Sequence, residues 1–289
     1  MSLKEAARKQ ICVFDSGVGG LSVLNELRAQ LPGEDLIYLG DTARVPYGTK
    51  SSLSITRYAT QAARALIEQD IKCLVIACNT ASAVAVEPLR ASYPYLKVIG
   101  VVEPGADACR RVTRTNHIAV IATESTINNQ AYQKAILSRD PSCVIQAFPC
   151  SLFVALAEEG WHEGPLVEAI IKRSLEPLIA AQVSHFKKPI DTLVLGCTHF
   201  PALKRPIANV LGEAVQLVDS AETTALYAKN MLSCEKLLNP QRLGQTRFMV
   251  TDGPERFARI APLFFSEEVL SSEVELVDIQ HYAERQNSH

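Results

Sequence analysis

The sequence predicts an α/β protein of two similar domains, each a mostly parallel sheet flanked by helices, with the functional site in the cleft between them. Three observations lead there. Short runs of β-branched and aliphatic residues alternate with amphipathic stretches along most of the chain, which is the pattern of strand–helix–strand units. Two such runs match each other: Cys73 to Thr80 and, far downstream, Thr192 to His199 each pass from an apolar strand to a small residue, a cysteine and small polar side chains. Finally, 289 residues suit two domains on the usual prior of about 150 residues each.

The elements follow in order. Ile11 to Phe14 reads as a strand, and Asp15-Ser16-Gly17-Val18-Gly19-Gly20 as its turn. Leu21, Leu24, Leu27 and Leu31 then share one helical face, which Pro32-Gly33 ends. Asp35 to Leu39 is a second strand, running into a loop at 40–48. Ile55, Ala59, Ala62, Ala63, Leu66 and Ile67 give a long helix over 52–70. The cysteine strand follows at 73–77, then a helix at 80–92 in which Pro88 is expected to mark a kink or an early end. Lys97 to Val102 is a strand, and Glu103-Pro104-Gly105 is expected to end it at a domain boundary.

A second alternation begins at His117 to Ile121, with a turn at 123–126 and a helix at 129–138. Val144 to Ala147 is a strand, and 152–180 is helical in two pieces broken near Gly160 to Pro165. Thr192 to Gly196 carries the second cysteine, Val215 to Val218 is a strand and Glu222 to Leu232 a helix. Phe248 to Thr251 and Val274 to Val277 read as late strands that return to the first sheet. The expected division is therefore 1–102 with 214–289 as one discontinuous domain, and 103–213 as the other.

Composition narrows the classes. A net charge of −2 gives no footprint for nucleic acid or an acidic membrane. Arg110, Arg111 and Arg114 form the densest basic cluster, with no aromatic or glycine-rich neighbour, and read as a solvated helix face. The polar start MSLKEAARKQ and the short apolar run after it do not form a signal peptide, and no stretch approaches a membrane span. A cytoplasmic chain is expected, so its eight cysteines are expected as free thiols. Cys12, Cys73, Cys109, Cys143, Cys150 and Cys234 read as small buried hydrophobes.

Cys78 and Cys197 differ by position. Each falls at the carboxyl end of a strand, where open α/β sheets bind ligands. Cys78 precedes a helix opened by Asn79-Thr80, and a thiol near a helix N-terminus is expected to have a lowered pKa. Cys197 is followed by Thr198 and His199, and a histidine exchanges protons near neutral pH. The glycine turn 15–20 lacks a third fingerprint glycine, since Ser22 stands there, and lacks the P-loop ending. It is expected instead to bring backbone amides, Asp15 and Ser16 close to a small polar ligand such as a carboxylate.

Four chemistries compete for the thiols. A cysteine hydrolase leaves one thiol unexplained. A zinc site from Cys78, Cys197 and His199 lacks a usual ligand spacing. A redox dithiol lacks Cys-x-x-Cys. Two-base racemisation or epimerisation accounts for both thiols: one removes a proton from one face of a carbon and the other returns one to the opposite face. A non-catalytic amino-acid-binding protein would use the same cleft without proton exchange.

The motifs Asp-Ser-Gly-x-Gly-Gly at 15–20, Gly-Asp-Thr-Ala-x-x-Pro-Tyr-Gly at 40–48, Ala-Cys-Asn-Thr-Ala-Ser at 77–82 and Gly-Cys-Thr-His-Phe-Pro at 196–201 resemble those of bacterial glutamate racemases. Gly-Val-Val-Glu-Pro-Gly at 100–105, Glu-Glu-Gly-Trp at 158–161 and Val-Asp-Ser at 218–220 are similar too. The match runs in order over about residues 11–220; one departure is Ala122, where many relatives carry glycine. The resemblance implies interconversion of L- and D-glutamate without a cofactor or metal, supplying D-glutamate for peptidoglycan, by a cytoplasmic homodimer. It implies Cys78 and Cys197 as acid/base catalysts, assisted by Asp15 and His199 respectively. It further implies that Ser16, Tyr47, Gly48, Asn79, Thr80, Thr126 and Thr198 hold the substrate, with Asp41 and Glu158 as supporting acids.

Overall fold

The computed structural model describes residues 2–184, 189–240 and 243–280. Among these residues, ten strands fall into two wholly parallel sheets. They are β1 (Gln10–Asp15), β2 (Leu36–Gly40), β3 (Ile71–Ile76), β4 (Lys97–Gly100), β5 (His117–Ala122), β6 (Val144–Pro149), β7 (Thr192–Gly196), β8 (Gln216–Asp219), β9 (Thr246–Val250) and β10 (Val274–Leu276). The first sheet has the order β10-β9-β2-β1-β3-β4 and the second β6-β5-β7-β8. All pairings are parallel, which explains why the strands read as continuous apolar runs: both faces are covered.

The cores follow from alternation along each strand. On one face of the first sheet, Ile11, Val13, Leu36, Tyr38 and Val75 pack against the helices Leu21–Gln30 and Ser220–Cys234. On the other, Cys12, Phe14, Ile37, Leu74 and Ile76 meet the helices Ser52–Ile67 and Asn79–Ser92. The second sheet sends Ile121, Leu193 and Leu195 toward the helices Leu152–Glu158 and Pro165–Ser184, and Ile118, Val120 and Val194 toward Val102–Val112 and Ala131–Arg139. Cys12 and Cys73 lie in these cores as small hydrophobes, whereas Cys234, at a helix end, is exposed.

Several boundaries differ from expectation. Glu103-Pro104-Gly105 does not end a strand; it lies inside the helix Val102–Val112. Pro104 sits in the first turn, where the missing N–H is not needed. Pro88 does not end its helix, which continues to Ser92. The expected turn at 123–126 opens the helix Glu124–Asn129, and Gln130, with φ 55°, separates it from Ala131–Arg139. Strand β8 pairs with β7 in the second sheet, so a division after residue 213 falls one strand early. The sequence placed that strand with the first sheet because its strand–helix pattern carries no mark of its partner.

At the base of the first sheet, Lys72 and Glu34 form an ion pair at 2.5 Å with both side chains 2% exposed. The Lys72 ammonium also donates to the carbonyls of Ala7 and Leu237, at 2.6 and 2.8 Å. It therefore ties the chain's first helix and a late loop to β3. Lys72→Met leaves the Glu34 carboxylate buried without its cation and is expected to cost about 3–5 kcal/mol. The urea midpoint should fall accordingly, and Glu34→Leu added to it should recover most of the loss. A single variant as stable as wild type would remove this pair from the stability account.

Candidate active site

In an open parallel sheet, a crevice forms where neighbouring connections leave to opposite sides of the sheet. In the first sheet that point lies between β1 and β3, and in the second between β5 and β7. Asp15 ends β1, and Cys78 follows β3 as the N-cap of the helix Asn79–Ser92. Thr123 follows β5 and Cys197 follows β7. Hydrogen bonds join the two sets: Ser22 Oγ donates to the Thr198 carbonyl at 2.9 Å, and Asn79 Nδ2 to the Tyr132 hydroxyl at 2.7 Å. Thr80, Thr123 and Thr126 form a hydroxyl triangle with edges of 2.9, 3.1 and 3.0 Å.

Cys78 and Cys197 are 5% and 6% exposed, unbridged, and close enough that Cys78 feels the charge of Cys197. Their surroundings differ. Cys78 Sγ accepts from the Ala81 amide at 3.4 Å, the helix-cap contact its position predicts, and Ser16 also bonds it. Both favour the thiolate, yet burial and the nearby Asp15 outweigh them, and the Cys78 pKa is pushed up to about 12. This corrects the expectation of a lowered pKa: one helix-end amide does not offset full burial beside a carboxylate. Asp15 is itself raised, first by burial, with the charge of His199 and amides of its own turn opposing. Its Oδ2 accepts from the Gly17 amide at 2.8 Å, whereas Oδ1 has no partner.

Cys197 stands beside a relay. Its sulfur lies 3.7 Å from His199 Nδ1, and His199 Nε2 lies 3.1 Å from Glu158 Oε1. Arg256 Nη2 donates to Glu158 Oε2 at 3.1 Å. Burial alone would lower the His199 pKa, but its bonds to Cys197 and Glu158 prevail and hold it up to about 10. The same histidine bond holds Glu158 below the usual carboxylate range. Phe264 meets the ring edge-on at 5.4 Å. A Cβ at Gly19 would sit 2.6 Å from the His199 ring and from Thr198 Oγ1, so only glycine lets this turn close on them. None of the glycines at 17–20 has a positive φ; their role is room, not backbone freedom.

Other expected residues are more indirect. Tyr47 is buried, with its hydroxyl donating to Asp41, so its side chain is engaged inward rather than free for a ligand. Asp41 also takes Arg44 Nε at 2.7 Å and Thr251 Oγ1 at 3.0 Å, which fixes the loop carrying Gly48. A Cβ at Gly48 would meet Thr123 at 2.8 Å, so that loop seals the threonine triangle. Ala122 fits because its strand partner Gly196 has no side chain. Sequence reasoning missed Thr123, Tyr132, Arg256 and Phe264 as site residues; no local motif marks them, and each arrives from another element. Among the described residues, no group of three or more His, Cys, Asp or Glu converges to hold a metal ion. No helix among them is long and apolar enough to cross a membrane.

Two buried thiols at strand ends of two parallel sheets, with relatives and solved structures that are glutamate racemases, identify an amino-acid racemase. The chain belongs to the Asp/Glu/hydantoin racemase family, whose model matches residues 19–228. The glutamate racemase of Geobacter metallireducens is 48% identical over 257 residues, covering 89% of this chain and 92% of that one. The crystal structure of a Bacillus anthracis glutamate racemase superposes with a TM-score of 0.87 at 34% identity, covering 94% of this chain and 98% of that one. The Francisella tularensis glutamate racemase in complex with D-glutamate gives 0.86 at 38% identity, covering 96% and 100%.

The raised His199 pKa makes a pH prediction with a definite sign. Because the folded value, about 10, lies above the ordinary 6.5, the charged histidine stabilises the fold fully below about pH 6.5 and is lost as pH rises through about 10. The stability gap between wild type and His199→Gln, read by urea denaturation, is therefore expected to shrink from pH 6.5 to 10. A flat or widening gap would mean that the folded histidine is neutral.

Proposed function

We propose that this chain interconverts L- and D-glutamate by a two-base mechanism, without a cofactor. The observation that carries the reading is a pair of buried acceptors with no partner, Asp15 Oδ1 and Asn79 Oδ1, beside the thiol Cys78. Buried polar atoms are rarely left unpaired, so two acceptors of this kind call for a donor from outside. An α-ammonium supplies one. The likeness to glutamate racemases over most of the chain, including one in complex with D-glutamate, supports the choice of amino acid.

The ammonium also answers the difficulty at Cys78. Its positive charge beside Asp15 offsets the carboxylate that keeps the thiol protonated, so substrate entry favours the thiolate. Cys78 would then take the α-proton of the D-isomer while Cys197 returns one to the opposite face; in the reverse direction Cys197 takes the proton of the L-isomer. His199, held charged by Glu158, would exchange protons with Cys197, and Asp15 would assist Cys78. Ser16 and the hydroxyls of Thr80, Thr126 and Thr198 would donate to the carboxylates, with Tyr47 and Gly48 supporting through their loop. As the α-carbon loses its proton, the α-carboxylate gains enediolate charge, and each oriented donor in a dry cleft lowers the barrier by about 3 kcal/mol. Arg256 and Glu158 line a cavity of about 90 Å³.

The biological setting proposed for this reaction is the cytoplasm, with D-glutamate supplied to peptidoglycan synthesis by a homodimer. Sedimentation should then report twice the chain mass. In heavy water, L-glutamate incubated with the purified chain and no cofactor should lose optical rotation while deuterium enters the α-position. Unchanged rotation would sink the reading. Cys78→Ala and Cys197→Ala are each expected to lower kcat/KM by about 10²–10⁴-fold, the usual range for a lost acid–base group. A single variant with full activity would exclude the two-base scheme.

A further inference from the structure

The helix Pro254–Ile260 follows β9 and buries Phe257 and Ile260 in a core of the first sheet. That core also takes in Ala157, which comes from the helix Leu152–Glu158 of the second sheet. Leu263, just beyond the first helix, lies over Gly160, where a Cβ would sit 3.6 Å from it. The two helices therefore dock on each other across the divide between the sheets. Arg256 and Glu158 meet at this dock, with Arg256 Nη2 donating to Glu158 Oε2 at 3.1 Å.

The Glu158 carboxylate is shared. Its Oε1 lies 3.1 Å from His199 Nε2, and His199 Nδ1 lies 3.7 Å from Cys197 Sγ. Glu158 is the last residue of its helix, and its side chain is 24% exposed. A flexible stem at that exposure leaves the carboxylate free to turn to water, and ordering it has an entropic cost. A guanidinium bonded to one oxygen removes that freedom and keeps the other oxygen on the histidine. An exposed ion pair adds little to stability, so the effect of this one belongs at His199 rather than in unfolding. We propose that Arg256 is a positioning residue of the reaction: from a helix of the first sheet it holds the Glu158 carboxylate on His199 Nε2, and so fixes the ring whose other nitrogen faces Cys197. The inference rests on the proton exchange proposed above between His199 and Cys197.

Because Arg256 is itself a cation, its removal has a sign. If it acted only as a nearby charge, it would oppose the imidazolium, and losing it would make His199 easier to protonate. If it positions Glu158, losing it costs His199 the carboxylate, and His199 becomes harder to protonate. The titratable groups facing the ring are Glu158, Cys197 and Asp15. Asp252 lines the cavity that Arg256 and Glu158 share. His162 touches the same Phe264 ring as His199 and bonds the Ala157 carbonyl at 2.9 Å.

The test follows the ring signals of isotope-labelled histidine by NMR against pH in the full chain. His199 is assigned from His199→Gln, and His162 serves as the neighbouring control. The Arg256 side chain is 58% exposed, so Arg256→Met leaves the core intact. In that variant the His199 midpoint is expected to fall by about one pH unit, the lower end of what an opposite charge at this range supplies. The kcat/KM for L-glutamate is expected to fall about tenfold, the equivalent of one unit. Arg256→Lys keeps the cation without the planar fork and should recover part of both. In a Glu158→Gln background, Arg256→Met should change neither quantity further, because it acts through Glu158. An unmoved or raised midpoint in Arg256→Met overturns the inference, as does a full additional loss in the Glu158→Gln background. A wild-type chain inactive on glutamate would instead overturn the glutamate reading, and the His199 midpoints would still decide what Arg256 does.

Discussion

The site depends on one constraint of parallel sheets. A helix must carry the chain back after each strand, and only where neighbouring connections leave to opposite faces does a strand's carboxyl end stay uncovered. Each sheet here has one such place, between β1 and β3 and between β5 and β7. Asp15 and Cys78 occupy the first and Cys197 the second, with Thr123 opposite it. Everything polar in the cleft is an answer to being placed at these ends and then buried.

Burial has opposite consequences on the two sides. Burial raises both Cys78 and Asp15, at Asp15 against the opposing charge of His199. Around Cys197, the Glu158 carboxylate stabilises an imidazolium despite full burial, and the exposed Arg256 anchors that carboxylate.

Polar contacts help to bring the halves together. Ser22 with Thr198, Asn79 with Tyr132 and the threonine triangle each join residues on different sheets. The apolar cores, by contrast, mostly stay with their own sheet. Such joints are small in area and strict in geometry.

The local chain carried much of this protein in readable form. Strand runs such as Leu36–Gly40 and Thr192–Gly196 are apolar throughout because both faces are buried, and that alone implies parallel sheets. The strand-end positions of Cys78 and Cys197 were legible, whereas the contact of His199 with Glu158 was not. What was not legible was pairing between distant elements: that β8 belongs to the second sheet, that Tyr132 reaches Asn79, that Arg256 holds Glu158. Nor could the sequence rank the opposing effects on Cys78, where a helix cap visible at Asn79-Thr80 loses to burial that only the packed cleft creates. Sequence determines which residues end each strand, because that is set by neighbours along the chain. Which of those ends face each other, and how dry the space between them is, depends on contacts between elements far apart in the chain, and only the tertiary structure decides it.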